Sequence, residues 1–222
     1  DDAALIDIGE RYMIVTTDLL VEGTHFRLEI NRPRLIGWKA AAVNISDIAA
    51  MGGEPTATFI SLGVPDMDVE LVDALYEGIA EVCAAFGSVI AGGDTIICEG
   101  GIVINITQLG QVEKDHAALR SGARPGDSIL VTNTLGDSLA GLELLLRGSA
   151  SPSDDCAPAR SPAAWLVDRH LRPLPRVREA RAAVATGKVS AMMDISDGLA
   201  ADLPRLCATS SVGATVREAA LP

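Results

Sequence analysis

Apolar residues recur along this chain in two rhythms. Short runs at 3–8 and 12–17, separated by Gly9-Glu10-Arg11, predict a hairpin or two adjacent strands. From Pro33 the pattern predicts a helix to about Met51, with proline at its first position and Gly52-Gly53 as its stop. TATFISLGV (56–64) predicts a strand. VELVDALYEGIAEVCAAF (69–86), apolar at spacings of three and four, predicts a second, amphipathic helix. SVIAGG (88–93) and GIVINITQLGQV (101–112) predict two more strands. ARPGD (123–127) is a turn signal. After it come a predicted strand at 128–133, a helix at 136–148 and a solvated low-complexity linker at 148–163. Helical pattern resumes over 163–186 with a break at Pro173 and Pro175, then a strand at 190–196 and a helix at 198–210. This alternation predicts an α/β fold, or α+β layers. A boundary near residue 113 separates 1–112 from 113–222, and no internal repeat is visible.

Composition narrows the function. The apolar fraction of 48% is too high for bulk disorder. A formal charge of -12 and 3% aromatics exclude the basic face and stacking residues of a nucleic-acid binder. Cys83, Cys98, Cys156 and Cys207 are far apart, with no CxxC pair, which argues against a zinc site or disulfide scaffold and suits the cytoplasm. No apolar run is long enough to span a bilayer, so a membrane role is not expected. The chain opens at Asp1-Asp2 without an initiator Met and closes at Pro222 soon after a strand-like pattern begins. It reads as a fragment.

Candidate chemistry lies in acidic clusters. In MIVTTDLLVEGTHF (13–26) the strand-like run Met13-Ile14-Val15 stops at Thr16-Thr17-Asp18, and His25 follows beyond a Glu-Gly turn. Asp1-Asp2, Gly92-Gly93-Asp94-Thr95 and Asp194-Ile195-Ser196-Asp197-Gly198 likewise flank strand-like runs. Each has an ordinary reading beside the functional one, because Asp, Ser, Thr and Gly make turns and helix caps. Ser196 or Asp197 would cap the helix starting at Gly198. Asp47 has no such reading. It falls inside an apolar helix, so its carboxylate must be protonated, paired or bound to a cation, with Asn44 as its nearest polar helical neighbour. Two like charges ~4 Å apart repel by roughly 4 kcal/mol at an effective dielectric near 20. Several converging carboxylates therefore need cations, and hard oxygen ligands favour Mg²⁺. Such a metal lets an acidic protein bind a polyanion. The chain has no GxxxxGK[ST], GxGxxG, HRD or DFG motif, so phosphate chemistry would rest on metals, arginine and glycine-turn amides such as Gly92-Gly93 or Gly136-Asp137-Ser138. His116 and His170 carry no supporting neighbours and read as surface residues. Arg120 reads as solvated, or as facing a cleft between domains.

DDAAL (1–5), TTDLLVEGTHF (16–26), KAAAVNISDIAAMGGEP (39–55), AGGDT (91–95), LRSGARPGD (119–127), GDSLAGL (136–142), RHLRPLPR (169–176) and DISDGLAADL (194–203) occur in an order that resembles the thiamine-monophosphate kinases. Their superfamily also holds aminoimidazole ribonucleotide synthetase and selenophosphate synthetase. The resemblance implies two α/β domains, the first forming a β-barrel across a homodimer. It implies ATP-dependent phosphorylation of thiamine phosphate to thiamine diphosphate with several Mg²⁺ ions. By position, Asp2, Asp18, Asp47, Asp94, Asp194 and Asp197 resemble the metal ligands, with Thr16 and Thr17 adding oxygens. Gly93, Asp94, Arg120 and Ser196 resemble nucleotide contacts, and His25 a thiamine-phosphate contact. The resemblance further implies an N-terminal helix before Asp1 and a later segment whose acidic and aromatic residues hold the thiamine moiety. Neither lies within these 222 residues. Alternatives are another ATP-using member of the superfamily with a different acceptor, a non-catalytic Mg²⁺/nucleotide-binding protein, or a dimerising scaffold whose Asp clusters are only turns.

Overall fold

The computed structural model describes residues 1–66, 68–151 and 161–222. Five strands, β1 (Ala4–Asp7), β2 (Arg11–Val21), β3 (Glu54–Val64), β4 (Val89–Ile97) and β5 (Val103–Glu113), form one sheet in the order β1-β2-β5-β3-β4. All neighbours are antiparallel except β3 and β4. A parallel pair needs a crossover, and α2 (Val69–Phe86) supplies it. The β1–β2 hairpin turns at Gly9, whose φ of +101° suits glycine and whose N–H donates to Asp7 Oδ1 at 2.9 Å.

Helix α1 (Pro33–Ala50) starts at its proline and ends where Gly53 N–H reaches back to Ile48 O at 3.0 Å. Asp68 caps α2 by accepting from Glu70 N and Leu71 N. The two helices cover one face of the sheet. Ile36, Ala41 and Ile45 of α1 meet Leu75, Ile79 and Val82 of α2 and Ile60, Leu62, Ile104 and Ile106 of the sheet in a continuous core. Each fully buried aliphatic side chain contributes about 1.5–3 kcal/mol. Glycine permits the close helix crossing: a Cβ at Gly37 would lie 2.0 Å from Leu75 O, and one at Gly78 would lie 1.8 Å from Arg34 O. Inside this core Thr58 donates to Gln108 Oε1 at 2.7 Å and shares a 2.8 Å hydrogen bond with Ser88. Gln108 Nε2 donates to Ala57 O, Leu109 O and Ser88 Oγ.

The second half of the chain is helical: α3 (Asp137–Leu146), α4 (Pro162–Leu171), α5 (Val177–Val184) and α6 (Leu199–Ser210), with a 3-10 turn at Glu218–Ala220. It closes onto α1. Leu145, Val167 and Leu171 bury against Ile30 and Leu35, Trp38 Nε1 donates to Pro173 O at 2.9 Å, and Arg181 of α5 donates to Gly52 O at 2.9 Å.

Four expectations change. β2 does not stop at Thr16-Thr17-Asp18; it runs on to Val21, fully paired with β5. The strand expected at 88–93 continues to Ile97, because β3 offers it a partner along its whole length. The segments 128–133 and 190–196 join no ladder among the described residues, so their apolar pattern yields no strand. Ile129, Leu130 and Ile195 are correspondingly exposed, Leu130 by 89%. Most of the linker expected at 148–163 lies outside the described residues.

Candidate metal and nucleotide site

Helix α1 brings Ser46 and Asp47 to the edge of the sheet's covered face. Strand residues alternate between faces, so Ile14, Thr16, Asp18 and Leu20 face the helices while Thr17 and Leu19 face away. Thr16, almost wholly buried, donates its hydroxyl to Asp47 Oδ2 at 2.6 Å. Asp47 is thus held by Thr16 and not by Asn44, whose Nδ2 donates to Ala40 O and whose buried Oδ1 has no donor among the described residues. Ser46 donates to Asp194 Oδ2 at 2.7 Å, fixing a carboxylate 148 residues further on.

Asp2, Asp47 and Asp194 each present one oxygen, and the three atoms lie within 4.8 Å of one another. Arg120 partly neutralises the group. Its Nη2 donates to Asp2 Oδ1 at 2.6 Å and its Nε to Oδ2 at 3.3 Å, with the Asp2 side chain only 1% exposed. Burial pushes the Asp47 carboxyl up to about 8; the Thr16 hydrogen bond opposes this, and the charges of Asp194, Asp18 and Asp2 add to it. Burial likewise takes Asp194 to about 6, against the Ser46 hydrogen bond and with help from Asp2 and Asp202. Burial also raises Asp18, while His25 lowers it. One arginine is too little positive charge for this group. The donor set is hard oxygen at ligand spacing, with hydroxyls behind two of the carboxylates, and it fits a divalent cation such as Mg²⁺.

The other expected site residues divide. Asp18 shares the covered face, and its charge is felt at Asp47. His25 is exposed in the loop after β2, its Nδ1 accepting from Val21 N at 3.0 Å. Ser196 lies two residues beyond Asp194, and its N–H donates to Asp202. Asp197 is exposed and paired with Arg205 at 2.6 Å, outside the group of three. Thr17 and Asp94 are on the opposite, open face. Thr17 Oγ1 accepts from Asn105 Nδ2 and Thr107 Oγ1, and Asp94 aligns with Ser61 and is exposed. Gly93 alternates to the covered side, where a Cβ would lie 1.8 Å from Ile60 O. Sequence reasoning missed Ser46, Asp202 and Arg205. Ser46 had a signal, being adjacent to Asp47, but its partner is remote in sequence. A hollow of about 530 Å³ lined by Glu22, Gly23, Arg27, Glu29, Ile30 and Leu146 lies apart from the carboxylates.

Residues 1–112 match the AIR synthase related protein, N-terminal domain, and residues 124–222 match its C-terminal domain. The chain belongs to the AIR synthase related family, among the thiamine-monophosphate kinases. It is 40% identical over 224 residues to "Thiamine-monophosphate kinase" of Bacillus subtilis, covering all of this chain and 67% of that protein. It is 38% identical over 223 residues to the Aquifex aeolicus protein of that name, covering 69% of it, and 38% identical to the Mycobacterium tuberculosis one, covering 63%. The chain thus spans roughly two thirds of the length of these relatives. Among solved structures it is similar to "AaThiL complexed with AMPPCP and TMP", at 38% identity and a TM-score of 0.83, covering 95% of this chain and 64% of that one. Thiamine-monophosphate kinase from Stenotrophomonas maltophilia matches at 36% identity and 0.83, covering 95% and 65%. A likeness to E. coli HypE at 22% identity and 0.71 extends the two-domain α/β fold beyond these kinases. No helix among the described residues is long and apolar enough to cross a membrane.

Proposed function

We propose that the protein to which this chain belongs transfers the γ-phosphoryl group of ATP to thiamine phosphate, giving thiamine diphosphate and ADP. The observation that carries this reading is the convergence of Asp2, Asp47 and Asp194, residues from the chain start, the first helix and a late loop, onto one cation-sized space. Mg²⁺ held there would neutralise the phosphates of donor and acceptor and stabilise charge in transfer.

This chain's residues do the positioning. Thr16 and Ser46 hold Asp47 and Asp194 through their hydroxyls, keeping carboxylate oxygens aimed inward. Arg120 is paired with Asp2, and with cations satisfying the carboxylates its fork would be available to a nucleotide phosphate. The acceptor phosphate is ionised and is itself the nucleophile, so no side chain need remove a proton from it. Its oxygen bonds to the γ-phosphorus as the bond to the β–γ bridging oxygen breaks, and ADP leaves with that electron pair. His25, beside Asp18, is assigned to the acceptor.

Two units, 1–112 and 113–222, then divide the labour, the first carrying most ligands and the second closing with Arg120 and Asp194. A homodimer is part of the proposal. The sheet's open face exposes Leu19 by 50% and Phe59 by 40%, and β4 leaves one backbone edge unpaired among the described residues, a surface that a second copy would cover. Thr17 and Asp94 would serve the cation and nucleotide from that side, and Gly93, next in the strand, the nucleotide from the covered side. The free thiols of Cys83, Cys98 and Cys207 suit the cytoplasm. The test is ADP release by the full-length protein with Mg²⁺ and ATP, with and without thiamine phosphate. Release dependent on thiamine phosphate supports the proposal. Release with another acceptor only, or nucleotide binding without release, overturns it.

A further inference from the structure

Asp202, the fourth residue of α6, is 1% exposed, yet it is a carboxylate in a loop-facing turn. Its Oδ2 accepts from the backbone N–H of both Ser196 and Asp197, each at 3.0 Å. Arg205 Nη1 donates to its Oδ1 at 2.8 Å and reaches Asp197 Oδ2 at 2.6 Å. A buried charge is costly, and three charge-assisted hydrogen bonds are what offset it here. The local geometry is unusual in a useful way. Gly198 is the N-cap of α6 and has no side chain to bond the first-turn amides. Ser196 and Asp197, the natural capping types, are not used as caps. Instead the helix sends a carboxylate back past its own start to hold the two amides before Gly198. That leaves the side chains of the loop free of capping duty, and it fixes the backbone two residues after Asp194.

We propose that Asp202, anchored by Arg205, is the positioning residue that sets Asp194 in the three-carboxylate group. The inference rests on the reading of that group as a Mg²⁺ site. Asp202 does not help Asp194 electrostatically, since its charge pushes the Asp194 carboxyl up. Its contribution is geometric, and it is made through backbone amides and not through the cation. Outer partners of this kind typically change metal affinity by about 10–100-fold when removed.

The experiment follows melting temperature of the full-length protein against Mg²⁺ concentration, with ATP KM and kcat measured alongside, for wild type, Asp202→Asn, Asp202→Ala and Arg205→Gln. In Asp202→Asn the half-saturating Mg²⁺ concentration should rise about 10–100-fold, and KM for ATP should rise with it while kcat at saturating Mg²⁺ recovers substantially. Arg205→Gln should move the same midpoint in the same direction by less. A merely structural role would lower the melting temperature at every Mg²⁺ concentration and leave the midpoint where it was, and that result overturns the proposal. Should Asp202→Ala fail to fold, Asp202→Asn and Arg205→Gln decide. If the wild type itself shows no Mg²⁺-linked rise, the metal reading falls and this inference with it; if the wild type responds and Asp202→Asn shares its midpoint, only this inference falls.

Discussion

The two faces of the five-stranded sheet carry the same residue types to different ends. On the face under α1 and α2, Thr16 and Asp18 stand in a closed environment where Asp47 is forced up to about 8. On the other face, Thr17 and Asp94 are exposed among Leu19, Asn105, Phe59 and Ser61. Thr16 and Thr17 are adjacent in sequence and on opposite sides in space. A run of hydroxyls and carboxylates on a strand is therefore two half-sets and never one. For Asp94 the deciding feature is a single residue. Thr58 pairs with Ile90 but Phe59 pairs with Gly92, so Ala91 is an extra residue in β4. In unbroken register Asp94 would align with Leu62 on the covered face. The bulge turns it to the open one.

The largest effect should come from breaking the covered side. Asp47→Asn removes a central carboxylate, and turnover should fall on the order of a hundred-fold or more, with the Mg²⁺-linked rise in melting temperature lost. Near-normal turnover would remove the covered face from the chemistry. The same variant has a pH signature. The folded chain holds the Asp47 proton more tightly than the unfolded chain, where Asp titrates near about 3.9. Its contribution to stability is therefore complete below that value and is lost as pH rises through about 8. Without Mg²⁺ the wild type should melt lower at pH 8.5 than at pH 5, and Asp47→Asn should flatten that difference. Mg²⁺, which needs the ionised group, should help most at the alkaline end.

The open face is tested by asking whose site Asp94 serves. If each site takes Asp47 from one copy and Asp94 from the other, a mixed dimer of Asp47→Asn and Asp94→Asn chains keeps one intact site of two. Random reassociation of equal amounts makes half the dimers mixed, so activity should return to about a quarter of wild type. Were both residues to serve the same copy's site, every site in the mixture would lack one of them and no activity would return. Unfolding and refolding the two variants together, then measuring ADP release, distinguishes the cases.

The join between the faces runs along β3 and β4, where Gly93 faces Ile60. Gly93→Ala places a methyl 1.8 Å from Ile60 O, so one strand must move. We expect a loss of about 3 kcal/mol in stability, measured by denaturant unfolding, in the range expected for backbone strain at a constrained position. A loss below about 1 kcal/mol would show that β4 yields easily, and that the placement of Asp94 is soft.

How much of this was legible in the residues depends on what each inference required. Helices α1 and α2 and the strands around them are legible because apolar spacing, Pro33 and Gly52-Gly53 act locally. Asp47 is legible because a charge inside an apolar helix has few resolutions. Its grouping with Asp2 and Asp194 came through resemblance, since nothing local joins three distant segments. The strands expected at 128–133 and 190–196 illustrate the opposite limit: apolar alternation is a strand only where a partner's N–H and C=O groups are within reach, and none is among the described residues. The bulge at Ala91 was not legible at all. Ala91 has no bulge signature of its own, and only the register of β3 against β4 reveals it. Asp202 was hidden differently, because sequence favours the nearer Ser196 and Asp197 as caps.

The smallest effect concerns what holds the bulge in place. Thr58, the last residue before the register shift, sits at the centre of the buried network with Gln108 and Ser88. Thr58→Val keeps the shape and removes the hydroxyl, leaving Gln108 Oε1 without its 2.7 Å donor in a fully buried place. An unsatisfied buried acceptor costs about 1–3 kcal/mol, and that is the expected loss in unfolding free energy. The informative part is what happens to Asp94. If the network pins the bulge, Thr58→Val should also lower turnover more than a comparable core change far from β4, such as Val167→Ala in α4. If the two variants lose stability but behave alike in turnover, the bulge is set by the ladder itself, and the two-face arrangement stands without help from the core.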